Sequence, residues 1–136
     1  MPSNYFINHE EGLVTITGTS AMKLFEAEEV GRALLGDPSF DPYLPHLVDL
    51  RGLTLNRSKE ESESFRDFML HAYRPRVASS IAIVVDDSLD QHSLAGLYHV
   101  SCSMDQTEVF DDYEHALKWL MRREFVDRKH LGVAAP

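Results

Sequence analysis

Hydrophobic positions recur along the chain with two periods, and the switches between them mark short elements. Residues 4–8 and 13–17 are rich in Tyr, Phe, Ile, Val and Thr, with Glu10-Glu11-Gly12 between them. That predicts a β-hairpin, with Gly12 able to take a positive φ at the turn. Leu13-Val14-Thr15-Ile16-Thr17 alternates and should bury one face. After Gly18-Thr19-Ser20, the residues Leu24, Ala27, Gly31, Leu34 and Leu35 fall at offsets 0, 3, 7, 10 and 11, one face of an α-helix. Gly36-Asp37-Pro38 ends that helix, and residues 37–45, with three prolines, read as an ordered loop.

His46-Leu47-Val48-Asp49-Leu50 predicts a short strand, and residues 52–57 a loop. Ser58 with Glu61 three residues later forms a capping box. The helix it opens carries Phe65, Phe68, Met69, Ala72 and Tyr73 on one face and stops at Pro75. Ser80-Ile81-Ala82-Ile83-Val84-Val85 is nearly all apolar, as in a strand covered on both faces. Residues 89–103 predict a helix with Leu94, Leu97, Tyr98 and Ser101 on one face. Thr107-Glu108-Val109-Phe110 predicts a last strand, and Asp111 with Glu114 a second capping box. The final helix, residues 112–127, faces inward with Tyr113, Ala116, Leu117, Leu120 and Met121.

The order β-β-α-β-α-β-α-β-α implies an α/β sandwich: a mostly parallel five-stranded sheet opened by an antiparallel hairpin, with four main helices on its two faces. No internal repeat, linker or low-complexity segment interrupts it. The chain of 136 residues is expected to be a single domain, 1–136, with a core over about 4–127 and a loose tail at 128–136.

Charge narrows the partners. With 13 Lys+Arg against 22 Asp+Glu, the net charge is −9, which disfavours nucleic acid and anionic membrane surfaces. The longest purely apolar run, residues 81–85, is far short of the roughly 20 residues a bilayer span needs, so no membrane insertion is expected. One cysteine, Cys102, cannot form an internal disulfide, and no signal peptide is visible, so the expected location is the cytoplasm. Residues 51–80 carry 6 basic and 4 acidic groups and stand out as +2 in an acidic chain. Arg51, Arg57, Arg66, Arg74 and Arg76 there predict either a local anion site or surface pairs with Glu60, Glu61, Glu63 and Asp67.

Catalytic and metal signals are sparse. His92 and His99 lie seven residues apart, about 10 Å along a helix, too far for one ion. His99 and Cys102 give only two ligands, so neither metal nor cofactor is expected. No Gly-x-Ser-x-Gly elbow, Walker loop or nucleophile–base pair at a recognisable spacing appears, which argues against an enzyme. Asp49 in the third strand and Asp86-Asp87 after the fourth fall on one sheet edge, where α/β folds place their sites. An enzyme would be built on Asp49, Asp86 and Ser58.

Leu47-Val48-Asp49-Leu50-Arg51, Ile81-Ala82-Ile83-Val84, and Val109-Phe110-Asp111 followed by Ala116-Leu117-Lys118-Trp119-Leu120 resemble the SpoIIAA-like proteins, small bacterial relatives of STAS and CRAL-TRIO domains. The resemblance covers roughly residues 4–124. It implies a non-enzymatic binding or regulatory module acting through a protein partner or small ligand. A second implied reading is a carrier of a lipid-like or other apolar molecule, walled by Phe65, Phe68, Met69, Tyr73 and Tyr98. A third is an anti-sigma-antagonist type of switch. In that subgroup a phosphoacceptor serine caps the helix after the third strand, and Ser58 matches it. Here the flanks are Arg57, Lys59 and Glu60 in place of an acidic residue, a second serine and a glycine. The resemblance therefore directs attention to Ser58 and Arg57, with Arg51, Asp49 and Asp86 nearby. Trp119, Arg122 and Arg123 on the last helix offer a homodimer contact.

Overall fold

A computed structural model describes residues 4–18, 24–51, 59–86, 95, 98, 99, 101, 102 and 105–130. The predicted hairpin forms: β1 (Tyr5–Asn8) pairs antiparallel with β2 (Leu13–Thr17), and Gly12 takes φ 68° at the turn. Then follow α1 (Leu24–Leu35), β3 (His46–Asp49), α2 (Lys59–Phe68), β4 (Ile81–Val84), β5 (Thr107–Phe110) and α3 (Tyr113–His130). The sheet runs β1-β2-β3-β4-β5, and every pair after the first is parallel.

Two apolar layers sandwich the sheet. On one face Val14, Ile16, Val48, Leu50, Ile81 and Ile83 meet α1 and α2. On the other, Leu13, Leu47, Ala82 and Val84 meet Ala116 and Leu120 of α3. Adjacent parallel strands joined by crossovers of one hand put consecutive helices on the same face, and α1 and α2 obey that rule. β3 and β4, in the middle, are buried along their whole length, as their apolar runs predict.

Three details depart from the sequence reading. Among the described residues there are three long helices, not four; the predicted helix at 89–103 falls mostly outside them, although Ala95, Tyr98, His99, Ser101 and Cys102 have helical backbone. α2 does not stay α-helical to Tyr73. It continues as a π turn, Met69–Tyr73, closed by the Arg74 N–H on the Met69 carbonyl, and then a short 3-10 turn, Arg74–Arg76. Pro75 has no N–H to continue the α ladder, so the helix ends through these other turns. Finally, Asp112 caps α3 in place of Asp111: its Oδ1 accepts from the N–H of Glu114 at 2.9 Å. The helix continues to His130, past its predicted end at 127.

Gly31 lets α1 and α2 approach. A Cβ there would lie 2.9 Å from the Phe68 ring, which is buried and has the Arg32 guanidinium 4.7 Å above it. Gly31→Ala gains up to about 1 kcal/mol of helix propensity but forces overpacking worth about 1–3 kcal/mol. The expected result is a net loss near 1 kcal/mol, read as a lower urea midpoint at unchanged m.

The other end of α2 meets a buried histidine. His46 is fully buried, and its Nδ1 shares a short hydrogen bond with the Tyr73 hydroxyl. Its Nε2 has no protein partner. Burial, helped by the nearby Arg74 charge, lowers the His46 pKa from 6.5 to about 3. The unfolded chain therefore binds a proton below pH 6.5 that the folded chain refuses. Stability from this group is complete above pH 6.5 and is lost as pH falls toward 3, by up to about 1.4 kcal/mol per unit. Between pH 7 and pH 5 the wild type should lose about 2 kcal/mol by urea titration, and His46→Gln distinctly less.

Candidate functional site

Parallel strands end together, so Thr17, Asp49, Val84 and Phe110 lie in register along one sheet edge. The ladder runs slightly beyond them. The Gly18 N–H donates to the Asp49 carbonyl at 2.7 Å, Leu50 N–H to Val84 at 2.8 Å, and Val85 N–H to Phe110 at 2.9 Å. Any side chain just past this edge has a rigid backbone beneath it.

Asp49 and Arg51 use that rigidity. Asp49 Oδ1 accepts from Arg51 Nε at 2.9 Å and from the Arg51 backbone N–H at 3.1 Å, while Oδ2 accepts from Arg51 Nη2 at 2.8 Å. This is a bidentate fork, the strongest common form of a charged hydrogen bond. The two partners are unequally buried: the Asp49 side chain is 10% exposed and that of Arg51 44%. The Arg51 guanidinium also lies over the Tyr113 ring, 5.0 Å from its centre. The hydrogen bond that Arg51 donates to Asp49 raises the Arg51 pKa, and the charge of Asp86 adds to the effect. Asp86 is therefore an electrostatic neighbour, exposed just after β4.

Of the residues picked from sequence, the structure thus brings Asp49, Arg51 and Asp86 to one place. Ser58 and Arg57 lie outside the described residues, as does the Ser58 capping box. Tyr113 was assigned only to the inner face of the last helix. Its place in the first turn after an acidic cap, at the same sheet edge, was the available signal.

The described arginines of the segment are not gathered into one anion site. Arg74 lies near the opposite edge, where its Nη2 donates to the carbonyls of Val77 and Ser79 at 2.6 Å each and its Nη1 to Thr107 Oγ1 at 3.2 Å. Arg76 donates to the Leu35 carbonyl at the end of α1, at 3.2 Å. Arg66 pairs with Asp67 at 3.8 Å. Each described arginine of the segment, Arg51, Arg66, Arg74 and Arg76, has its own separate partners.

Four of the five apolar candidates are core. Phe65, Phe68, Met69 and Tyr73 are all buried and, with Ile16, Gly31 and Val48, enclose a void of about 10 Å³, the space of one water. Tyr98 is 48% exposed and does not join that cluster. Among the described residues, no three His, Cys, Asp or Glu side chains converge as metal ligands.

Arg51→Met should cost about 1–2 kcal/mol, because it strands a nearly buried carboxylate while solvent still reaches the site. Arg51→Lys should recover only part of that loss, since an ammonium cannot make the fork. Urea denaturation at pH 7 checks the order wild type, Lys, Met.

No family model, curated protein or solved structure matches this chain, so these residues are read on their geometry alone.

Proposed function

We propose that this chain is a non-enzymatic recognition module of the SpoIIAA-like, STAS-type kind, bacterial and cytoplasmic, which engages a protein partner at the carboxyl edge of its sheet. The observation that carries the reading is the Asp49–Arg51 fork on Tyr113. Asp49 is already saturated by Arg51, which makes it a poor general base. Arg51 is held by two bonds and a ring yet remains 44% exposed, so little side-chain entropy is left to lose when a partner docks on it. Half-exposed, preorganised Arg and Tyr side chains are the residue types that dominate protein recognition energies.

Two further features support this class. The five-stranded sheet, parallel except for its opening hairpin, is the arrangement expected from the order of elements and is compatible with this class. Among the described residues, the core between the sheet and the α1–α2 layer holds a water-sized void, which favours this reading over a lipid-like cargo.

Native mass spectrometry on the chain isolated gently from its own cells tests this reading, with Arg51→Ala alongside. The expected result is a defined complex with one protein that the wild type keeps and Arg51→Ala loses, while both variants remain folded by circular dichroism. A complex equally retained by Arg51→Ala would move recognition away from this edge. A releasable small molecule on the wild type would replace the reading with a carrier, and a phosphate on Ser58 would replace it with a switch.

A further inference from the structure

The buried histidine of β3 is tied to the surface of the molecule through one turn. Past α2 the chain makes the π turn Met69–Tyr73 and the 3-10 turn Arg74–Arg76. His71, Pro75 and Arg76 lie exposed on these turns, while Tyr73 runs fully into the core as a peg. The inner end of the peg is the hydroxyl bonded to His46 Nδ1.

An imidazole with one partner suits only one charge state. The neutral ring carries one N–H and one bare nitrogen; the cation carries two N–H groups, and each needs an acceptor when buried. At Nδ1 the Tyr73 oxygen can serve. At Nε2 there is no protein acceptor. Among the described residues the surroundings supply no counter-charge either. β2 and β4 set Val14 and Ile81 beside His46. The loop before β3 gives the Phe40 ring, and its two acids are engaged elsewhere: Asp37 accepts from the Tyr5 hydroxyl and Asp41 from the Tyr43 N–H. The turns give Tyr73 and Arg74, and the Arg74 charge opposes a second positive one. Their other basic groups, His71 and Arg76, are at the surface.

Only one side of this contact can move. β3 is held along its length by β2 and β4. The turns are held by fewer bonds, since Pro75 has no N–H to donate. Their far end is fastened by Arg74, which donates to the carbonyls of Val77 and Ser79 and to Thr107 Oγ1.

We propose that the Met69–Tyr73 turn is an acid-released latch: protonation of His46 expels the Tyr73 hydroxyl, and the end of α2 swings out about Arg74 while the sheet and α3 stay folded. Each opening takes one proton from solvent. Release uncovers Phe65, Phe68 and Met69, so the molecule presents in acid an apolar groove that it keeps closed at neutral pH.

Native-state hydrogen exchange of the full chain, resolved by residue and corrected for the intrinsic pH dependence of exchange, tests the latch. The Met69–Tyr73 amides should exchange through a local opening with little urea dependence, distinct from the urea-sensitive global opening that releases β3. Between pH 7 and pH 5 the local opening constant should rise about twentyfold, the proton linkage of a histidine exposed when open and buried when closed. Trp119 fluorescence, on the α3 face, should stay native throughout. His46→Gln should abolish the rise and His71→Gln should keep it. Tyr73→Phe, which retains the ring, should raise the opening constant several-fold at pH 7, and it tests the latch even where His46→Gln fails to fold. Exchange of these amides only through the global opening would overturn the proposal. So would a local opening indifferent to pH, a rise that survives His46→Gln or disappears in His71→Gln, or an opening constant unchanged by Tyr73→Phe.

Discussion

An imidazole and a carboxylate are buried at the two ends of β3, and the sheet depends on how each is accommodated away from bulk solvent. β3 is central, flanked by β2 and β4 and buried along its whole length. A buried polar group costs several kcal/mol unless it is paired. The two ends solve the problem differently. At one, His46 stays neutral and shares a hydrogen bond with Tyr73, a hydroxyl that burial pushes above its usual pKa. At the other, both carboxylate oxygens of Asp49 accept from the Arg51 fork. Each solution recruits a helix: Tyr73 fixes the end of the α2 segment, and Tyr113 under Arg51 fixes the start of α3. Satisfying β3 thereby helps to place one helix on each face.

That division separates stability from recognition. The His46 end is buried among Tyr73, the Phe40 ring and Arg74, so it serves the fold. The Asp49 end opens to solvent through Arg51. An open α/β sheet offers its carboxyl edge as the place where side chains rise from a rigid ladder, and the one guanidinium described there is held in a fixed direction. The same chemistry that neutralises a buried carboxylate supplies a preorganised surface cation.

Much of this was legible in the sequence because it rests on period. The hairpin, α1, β3, β4 and the face of α2 follow from apolar spacing, and Gly12 from the turn it must make. What escaped depends on long-range partners or on single-residue offsets. His46 reads as one more strand residue until Tyr73, 27 positions on, is brought to its ring. Asp111 and Asp112 are adjacent caps of the same type, and only the helix's final register chooses between them. The π turn follows from a conflict between the apolar stripe through Tyr73 and the missing amide of Pro75, and period alone cannot resolve such a conflict. Asp49 and Arg51 were each singled out, yet their fork was not. Two residues at i and i+2 share a face in extended chain, and that spacing was a usable clue. The arginine cluster misled for the opposite reason. Closeness in sequence across a helix carries Arg51 and Arg74 to opposite ends of the sheet.

Charge also determines where two copies of this molecule can meet. At −9 each, most approaches bring acid against acid. The carboxyl edge, with Asp86, Asp111 and Asp112, repels a second copy even though it carries Arg51, whose charge is already committed to Asp49. The groove between α1 and α2 is lined by Glu28, Glu60, Glu63 and Asp67 and repels one too. β1 differs from both. It is uncharged, and its Phe6 is 63% exposed. The acidity that keeps the molecule apart from its copies elsewhere thus leaves neutral β1, among the described strands, as a place where the electrostatic cost of any close approach is low.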